Sequence, residues 1–344
     1  MLLDITKSFI DRHSEGADNS KIQRISRAYQ AWKSTQAASR SEYQVSREWL
    51  PIYSKYMAKV SKALLEGDIA NLKKMYENFF RDPLSAGLHG MHFEMVEKYM
   101  TPGVTPTQVD LEAYAKISIE YANNFLLNCK GVPIKALERP PIGNPYGYQL
   151  DNITVFPCAE YHLSFAKKIG ALLRTTQSPV VMELGGGFGG MAYYLLRDYP
   201  SIQYVGIDLP ENAALQAYYL MSYFPNLKVR LFGEENCGDP ADYNVLIMPN
   251  FAIESLPANS VNLSFNSYSL AEMSVDSINN YINLICQITK DFILHLNHVY
   301  WEVNSDNFPI DYNKFQLLFR NPTMWGKDPK RYSLDHHEFL YMAK

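Results

Sequence analysis

The stretch that decides the fold is SPVVMELGGGFGGMAYYLLRDYP, residues 178–200. An apolar run reaches the acidic residue Glu183, residues 185–190 contain five glycines among six positions, and an amphipathic pattern then begins. A glycine loop between a strand and a helix lets backbone N–H groups approach a ligand closely, at the positive end of the helix. The stretch therefore predicts a strand, a ligand-binding turn and a helix.

Two classes of ligand fit the glycine pattern. Gly185, Gly187 and Gly190 satisfy G-x-G-x-x-G, which is typical of dinucleotide sites, and Gly185, Gly187 and Gly189 satisfy the shorter G-x-G-x-G. The spacing of the glycines does not separate the two classes, so the flanking residues have to.

The carboxylate before the loop favours a cationic ligand. Glu183 stands two residues before Gly185, where a dinucleotide site would face a pyrophosphate that a carboxylate repels. S-adenosylmethionine carries a sulfonium and an ammonium group, which a carboxylate attracts, and its own carboxylate can still use the N–H groups of the loop. The sequence therefore favours S-adenosylmethionine as the cofactor.

A second acidic residue indicates a nucleoside. The run QYVGIDL ends with Asp208 and Leu209, and Asp208 comes twenty-three residues after Gly185. An acid at that point can accept both ribose hydroxyls. Both ligand classes contain a ribose, so this feature predicts a nucleoside site without identifying the ligand.

The chain divides into three predicted parts. Residues 1–130 repeat apolar residues at three- and four-residue spacing and predict a helical N-terminal domain that caps the site or supplies acceptor or dimer contacts. Thr105 is the predicted cap of its final helix, with Pro106 at the first helical position. Residues 131–150 are rich in proline and glycine and predict an ordered connecting loop.

Residues 151–344 alternate between short apolar runs and helical patterns. This alternation predicts an α/β domain with a mostly parallel sheet and helices on both faces. The final run, HEFLYMAK, is predicted to close the sheet as an edge strand. The apolar runs predicted as inner strands are PVVMEL, QYVGIDL, NVLIM, VNLSFN and DFILHLN.

Several stretches together resemble the sugar O-methyltransferase family, a branch of the class I S-adenosylmethionine-dependent methyltransferases. The resemblance covers about residues 140–344 and includes PIGNPYGY before the cofactor domain. It implies a class I, Rossmann-like fold and methyl transfer to a hydroxyl of a sugar or glycosylated metabolite. The stretches that carry it are VVMELGGGFGGMAYYLL, YVGIDLPEN, YLMSYFPN and FNSYSLAEM.

The predicted cofactor-binding residues lie in the glycine loop and at the carboxyl ends of strands, where open α/β sheets bind ligands. The resemblance implies that Asn250 and Phe251, after NVLIM, contact the adenine. An alternative third strand, LKVRLFG, would move that role to Gly233 or Glu234. The full predicted set is Glu183, Gly185, Gly186, Gly187, Gly189, Asp208, Leu209, Asn250, Phe251, Asn266, Ser267 and Tyr268.

Two residues are candidates for a catalytic base. A sugar hydroxyl is a poor nucleophile, so a base within hydrogen-bond reach would help as its proton leaves. Glu272 follows the fourth strand, although an acid there also fits the first turn of the next helix. His298 follows the run FILHLN and has a suitable pKa range, whereas His295 lies within that run and is predicted to be a core residue.

No metal site is predicted. His89, His92 and Glu94 are close in sequence, and the histidine spacing suits a metal on a helix, but no H-E-x-x-H pattern is present. His336 and His337 are adjacent, which turns them to opposite faces of a strand.

Composition limits the partners. A net charge of −4 and a pI near 6.1 argue against a general nucleic-acid binder. No segment approaches the roughly 20 apolar residues of a membrane span. The four cysteines form no C-x-x-C pair, which favours reduced thiols in the cytoplasm. The predicted partner is a small sugar or glycoside acceptor, and a homodimer is also compatible with the sequence.

Two other functions stay open. An NAD-dependent oxidoreductase would use the same glycine loop but is disfavoured by Glu183. A non-catalytic nucleoside-binding protein with the same fold would need no base, and the sequence does not identify the base.

Overall fold

The described residues form two hydrogen-bonded sheets. A computed structural model describes residues 3–46, 49–88, 106–236, 242–299, 303–325 and 336–344. A small sheet has the order β1-β2-β3, with β1 at Leu3–Asp4, β2 at Tyr148–Leu150 and β3 at Ile153–Val155. The large sheet has the order β10-β11-β9-β8-β4-β5-β7-β6. Its strands are β4 (Val180–Leu184), β5 (Gln203–Asp208), β6 (Val229–Leu231), β7 (Val245–Pro249), β8 (Val261–Ser267), β9 (Thr289–His298), β10 (Phe315–Pro322) and β11 (His336–Ala343).

The large sheet is mostly parallel. Strands β4 to β9 pair in parallel, and β11 runs antiparallel to both β9 and β10. The predicted α/β class is therefore confirmed. The prediction of HEFLYMAK as an edge strand was wrong, because β11 lies between β9 and β10. Strand β10, which the sequence analysis missed, takes the edge.

Eight helices of eight residues or more lie in the described part of the chain. The helix Ala58–Glu66, α2, continues directly from two shorter helical segments at Leu50–Ile52 and Tyr53–Met57. None of the described helices is both long enough and apolar enough to cross a membrane. The eight are α1 (Asn19–Ala37), α2 (Ala58–Glu66), α3 (Ile69–Tyr76), α4 (Gln108–Asn128), α5 (Ala159–Leu172), α6 (Gly190–Asp198), α7 (Pro210–Tyr223) and α8 (Val275–Ile288).

Helix α4 begins later than predicted. Thr107 caps it, and the side chains of Thr107 and Asp110 each accept a hydrogen bond from the other's backbone N–H. Pro106 therefore precedes the helix instead of opening it, and the predicted cap Thr105 lies outside the described residues. The helix begins after Thr107 because the capping box there satisfies two backbone N–H groups that would otherwise lack hydrogen-bond partners.

Side chains alternate along the strands between two cores. Val181 and Leu263 belong to one apolar cluster, whereas Met182 and Leu184 belong to the other. Helices α5, α6 and α7 contribute to the first cluster, and α8 contributes to the second. Helices therefore cover both faces, as predicted.

The N-terminal helices share the first cluster with the sheet. Ile25 and Trp32 of α1 and Leu64 of α2 are all in it. The Tyr29 hydroxyl of α1 donates to Glu211 Oε1 of α7 at 2.7 Å. This packing makes residues 1–88, as far as they are described, part of the structure that supports the sheet.

Replacing Leu64 with alanine should destabilise the whole molecule. Leu64 is fully buried in the shared cluster, so Leu64→Ala should lower the free energy of unfolding by about 2–5 kcal/mol. Leu65→Ala, one residue further along α2 and 49% exposed, should change it by less than about 0.5 kcal/mol. Urea unfolding followed by circular dichroism measures both. A separate early transition confined to the N-terminal helices would contradict the shared core.

Candidate functional site

A cavity opens at the carboxyl ends of β4, β5 and β8. Ten predicted site residues line it: Glu183, Gly185, Gly186, Gly187, Asp208, Leu209, Asn250, Ser267, Tyr268 and Glu272. Four predicted site residues do not: Gly189, Phe251, Asn266 and His298. The cavity therefore lies where parallel strands end and a glycine loop begins, the usual location of a ligand in such sheets.

The glycine loop has a backbone that other residues adopt rarely. Gly185, Gly187 and Gly189 have φ values of +78°, +57° and +90°, in the left-handed region. Gly186 is required for a different reason, because a Cβ at that position would lie 2.3 Å from Nε2 of Gln216. The loop is thus held close to the side chains beneath it.

Asp208 is tied to this loop. Its Oδ2 accepts a hydrogen bond from the Gly187 N–H at 2.8 Å, and its Oδ1 accepts from the Leu209 N–H at 2.7 Å and from Asn212 Nδ2 at 3.0 Å. Burial raises the pKa of Asp208 to about 6, although these hydrogen bonds oppose the shift. The carboxylate therefore holds the strand end and the loop in one arrangement.

Glu183 is a second buried carboxylate of the cavity. It accepts a hydrogen bond from the Tyr204 hydroxyl and is 5% exposed. Burial raises its pKa to about 7, and the negative charge of Asp208 adds to the rise. Two acidic groups with raised pKa values in one cavity are typical of functional sites.

Asn250 lies at the end of β7 with its amide fixed. Its Nδ2 donates to the Tyr43 carbonyl at 2.9 Å and to the Tyr281 hydroxyl at 3.0 Å. Its Oδ1 is buried and has no hydrogen-bond partner among the described residues. Phe251 packs instead against Phe232, with ring centroids 6.4 Å apart. Asn250 therefore presents an unused acceptor beside the cavity.

The two candidate third strands have different positions. Strand β7 pairs with β5 next to the cavity, whereas β6 is at the edge of the sheet. Glu234, the acid that would have served in the alternative, pairs with Arg24 of α1 at 2.5 Å. Neither Glu234 nor Gly233 is among the residues lining the cavity.

The end of β8 combines a structural residue with cavity residues. Asn266 donates to the Leu184 carbonyl at 2.9 Å and accepts from Asn297 Nδ2 at 2.9 Å, so it bridges β4 and β9. The next residue, Ser267, is hydrogen-bonded through its hydroxyl to the hydroxyl of Tyr161. The strand thus ends with one side chain in the sheet and the next in the cavity.

An aromatic wall, formed by Tyr121, Tyr161, Tyr268 and Trp325, lines the cavity beside Ser267. The ring of Tyr161 lies 5.8 Å from that of Trp325 and 6.5 Å from that of Tyr268. Tyr121, Tyr161 and Trp325 were not predicted from the sequence, because they come from three distant parts of the chain and belong to no local motif.

Residues 38–46 and Trp49 form a strap from the N-terminal region to the far side of the sheet. Tyr43 is buried in the cluster beneath α8, although α1 lies on the opposite face. The Ser277 hydroxyl of α8 donates to the Glu42 carbonyl at 3.1 Å. Glu42, Gln44, Ser46 and Trp49 of the strap line the cavity. The N-terminal third therefore forms part of the site.

Glu272 is hydrogen-bonded to the strap. Its Oε2 accepts a hydrogen bond from Trp49 Nε1 at 2.9 Å. Glu272 belongs to a short helical turn, Ser269–Glu272, and the acid in the first turn of α8 is Asp276. Glu272 is therefore the first-turn acid of the short helical turn that follows β8, as the alternative interpretation predicted, and not of α8.

His298 has a different setting from the one predicted. It is the last residue of β9, not a residue beyond the strand, because β11 extends the pairing to His336 opposite it. The rings of His298 and His336 are 4.4 Å apart, and His298 is 7% exposed. His295 is a buried core residue, as predicted, and burial lowers its pKa to about 3.

His162 of α5 lines the cavity, and the sequence analysis missed it. Burial and the positive charge of Arg139 hold its pKa well below the usual range. His89, His92 and Glu94 lie outside the described residues. Across the described ranges, no group of three or more acidic, histidine or cysteine residues is suited to hold a metal ion.

Comparisons with known proteins give structural neighbours only, since no family model and no curated protein matches the chain. A mitomycin 7-O-methyltransferase is 11% identical with a TM-score of 0.35, and the match covers 54% of this chain and about half, 55%, of that chain. Magnesium protoporphyrin IX methyltransferase from Synechocystis PCC 6803, with bound S-adenosylmethionine, is 9% identical with a TM-score of 0.40, over 65% of this chain and 97% of that chain.

A TehB-like methyltransferase from Corynebacterium glutamicum, named as dependent on S-adenosylmethionine, is 13% identical with a TM-score of 0.37, over 67% of this chain and 99% of that chain. These TM-scores and identities are too low to assign an activity. The Rossmann-like α/β fold rests on the strand order of the chain itself, and the resemblance to sugar O-methyltransferases stays a prediction.

Substitution of Gly186 should destabilise the packing beneath the glycine loop. The Cβ of Gly186→Ala would lie 2.3 Å from Gln216 Nε2 and 3.1 Å from Glu183 Oε2, so buried groups must shift. Overpacking of this kind typically costs about 1–3 kcal/mol of stability. Thermal unfolding should show the loss. An unchanged melting temperature in Gly186→Ala would contradict the close packing beneath the loop.

Proposed function

We propose that this protein is an S-adenosylmethionine-dependent O-methyltransferase that acts on a hydroxyl of a sugar or glycosylated metabolite. The observation that carries the proposal is the pairing of two buried carboxylates, Glu183 and Asp208, around a glycine loop in one cavity. A pyrophosphate beside Glu183 would be repelled, whereas a cationic group would be attracted. This is the main argument against an NAD-dependent oxidoreductase.

The residues of the cavity fit the chemical groups of the proposed cofactor. Asp208 is suited to accept the ribose hydroxyls, and Glu183 to face positive charge. Asn250 Oδ1, buried and without a partner among the described residues, is suited to accept a hydrogen bond from the adenine amino group. When bound, the cofactor supplies an electrophilic methyl group. Leu209, Ser267 and Tyr268 are proposed as further contacts, and Gly189, Phe251 and Asn266 as residues that support them.

The aromatic wall supports a sugar acceptor. Aromatic rings with a few hydroxyl groups among them bind ligands that have both apolar and polar faces, as a sugar ring does. The hydroxyls of Tyr161 and Ser267 are suited to orient an acceptor hydroxyl. Orientation contributes much of the rate in a displacement of this kind.

The three parts of the chain have distinct proposed roles. Residues 1–130 cap the site, consistent with the contribution of Trp49 and Leu88 to the cavity lining. Residues 131–150 connect this region to the methyltransferase domain at residues 151–344. A cytoplasmic location is supported by the three free cysteines in the described part of the chain, Cys129, Cys158 and Cys286.

Asp208→Asn should weaken binding of S-adenosylhomocysteine at least about tenfold, because hydrogen bonds to a charged acceptor contribute about 1.5–3 kcal/mol each. Calorimetry with the purified protein measures the affinity, and Asp242→Asn, which removes a carboxylate paired with Arg230, provides the control. We expect no heat with NAD. Tight binding of NAD without any heat from S-adenosylhomocysteine would reject the methyltransferase.

Glu272 and His298 are the proposed bases, and their variants should differ. Glu272→Gln should lower turnover by about 10²–10⁴-fold if Glu272 accepts the proton, while the amide can still accept the hydrogen bond from Trp49. His298→Gln should have the smaller effect, because His298 is not among the residues lining the cavity.

Transfer of labelled methyl groups to a panel of free hexoses and nucleotide sugars measures both rates, with Glu66→Gln, exposed on α2, as the control. Normal turnover in both variants would show that neither residue is the base. Absence of transfer to any sugar, together with tight binding of S-adenosylhomocysteine, would favour the non-catalytic binding protein.

A further inference from the structure

Three buried side chains form a hydrogen-bonded relay beneath the glycine loop. Gln216 Nε2 of α7 donates to the Tyr204 hydroxyl at 3.1 Å, and this hydroxyl donates to Glu183 Oε2. Gln216 and Tyr204 are completely buried. The relay thus connects a helix on one face of the sheet to the acid at the end of β4.

The relay has no room to rearrange. A Cβ at Gly186 would lie 2.3 Å from Nε2 of Gln216, and a Cβ at Gly206 would lie 2.1 Å from Oε1 of the same side chain. Gly186 in the loop after β4 and Gly206 within β5 therefore leave the space that Gln216 occupies. This packing holds the Gln216 amide against the Tyr204 hydroxyl.

Glu183 has no cationic partner among the described residues. The titratable groups near it are Tyr204 and Asp208 of β5 and Tyr161 of α5, and none of these carries a positive charge. Tyr204 is its only hydrogen-bond donor in the described part of the chain. A buried carboxylate without a cation is costly to ionise, so this single donor has a large influence on its charge.

The balance between the two forms of Glu183 then depends on the ligand. S-adenosylmethionine carries a net positive charge, whereas S-adenosylhomocysteine has lost the sulfonium and is a neutral zwitterion. A positive ligand stabilises the carboxylate, and the proton of the neutral acid leaves to solvent.

We propose, on the basis of the function proposed above, that the Gln216–Tyr204–Glu183 relay couples cofactor binding to the release of one proton and thereby favours S-adenosylmethionine over its product. Tyr204 and Gln216 are positioning residues in this scheme, and Glu183 is the group that faces the cofactor.

The expected dependence on pH follows from the direction of the shift. Burial raises the pKa of Glu183 to about 7, so the free protein holds the proton below that pH and loses it above. Affinity for S-adenosylmethionine should therefore rise with pH up to about 7 and then level off. The gain is at most about tenfold per pH unit when one proton is released.

Calorimetry with S-adenosylmethionine and with S-adenosylhomocysteine tests the relay directly and needs no acceptor. Titrations at pH 6, 7 and 8, each in two buffers that differ in ionisation enthalpy, report both affinity and proton release. In the wild-type protein at pH 6 we expect release of up to one proton with S-adenosylmethionine, and less with S-adenosylhomocysteine.

Tyr204→Phe removes the donor and should shift the pH dependence upward by about one unit, because the hydrogen bond stabilises the ionised acid. Affinity for S-adenosylmethionine at pH 7 should then fall about fivefold, because the ionised fraction of Glu183 falls from about one half to about one tenth, and it should recover at higher pH. Gln216→Met should shift the pH dependence of S-adenosylmethionine affinity in the same direction, but by less than Tyr204→Phe does. It serves as the second variant if Tyr204→Phe does not fold. Glu183→Gln should bind S-adenosylmethionine weakly and lose the pH dependence near 7, which leaves only the titration of Asp208, whose pKa burial raises to about 6.

Tyr194→Phe is the matched control. Tyr194 is equally buried, but its hydroxyl donates to the Leu137 carbonyl at 2.7 Å, away from the loop. The affinity of Tyr194→Phe for S-adenosylmethionine should depend on pH in the same way as that of the wild-type protein.

Two results would overturn the relay and leave the proposed function standing. One is binding of S-adenosylmethionine by the wild-type protein with no proton release at pH 6. The other is an equal loss of affinity at every pH in Tyr204→Phe. Failure of the wild-type protein to bind either ligand would instead reject the proposed function, and the relay with it.

Discussion

The burial of the Glu183 carboxylate at the end of β4 is the constraint on which the site depends. A carboxylate removed from water requires a donor, and Tyr204 supplies it from the neighbouring parallel strand. The glycine loop must then turn above the acid without any side chain that would displace Gln216. The glycines of the loop, Tyr204 of β5 and Gln216 of α7 are the residues that accommodate this one acid.

Asp208 is also a buried carboxylate, but its hydrogen-bond donors are of a different kind. Its oxygens accept two backbone N–H groups and one amide, so it is held by the chain itself and connects the two strand ends. Glu183 relies on a single phenol. The two acids therefore differ in how far a ligand can change their charge: Asp208 acts as a fixed acceptor, whereas Glu183 responds to what binds.

The sequence predicted those parts of the site that depend on local pattern. The acid, the glycines and the second acid lie within short stretches whose periodicity reveals a strand, a turn and a helix, and all of Glu183, Gly187 and Asp208 line the cavity. The aromatic wall could not be predicted in this way, because Tyr121, Tyr161 and Trp325 meet only after distant elements pack.

Strand β10 and the strap were missed for related reasons. In β10 most of the side chains are exposed, so FQLLFRNP lacks the continuous apolar character of a buried strand. Tyr43 of the strap stands alone in a polar segment, and only its packing beneath α8 reveals its role.

The position of β11 in the sheet affects folding of the protein during its synthesis. This strand follows β10 in the chain but lies between β9 and β10 in the sheet. Until β11 has left the ribosome, β9 has an unpaired edge and β10 has no strand to pair with in the described sheet. Exposed edges of this kind readily join those of other chains. A nascent chain that pauses before β11 is complete is thus the form most vulnerable to aggregation, and the form for which chaperones would matter most.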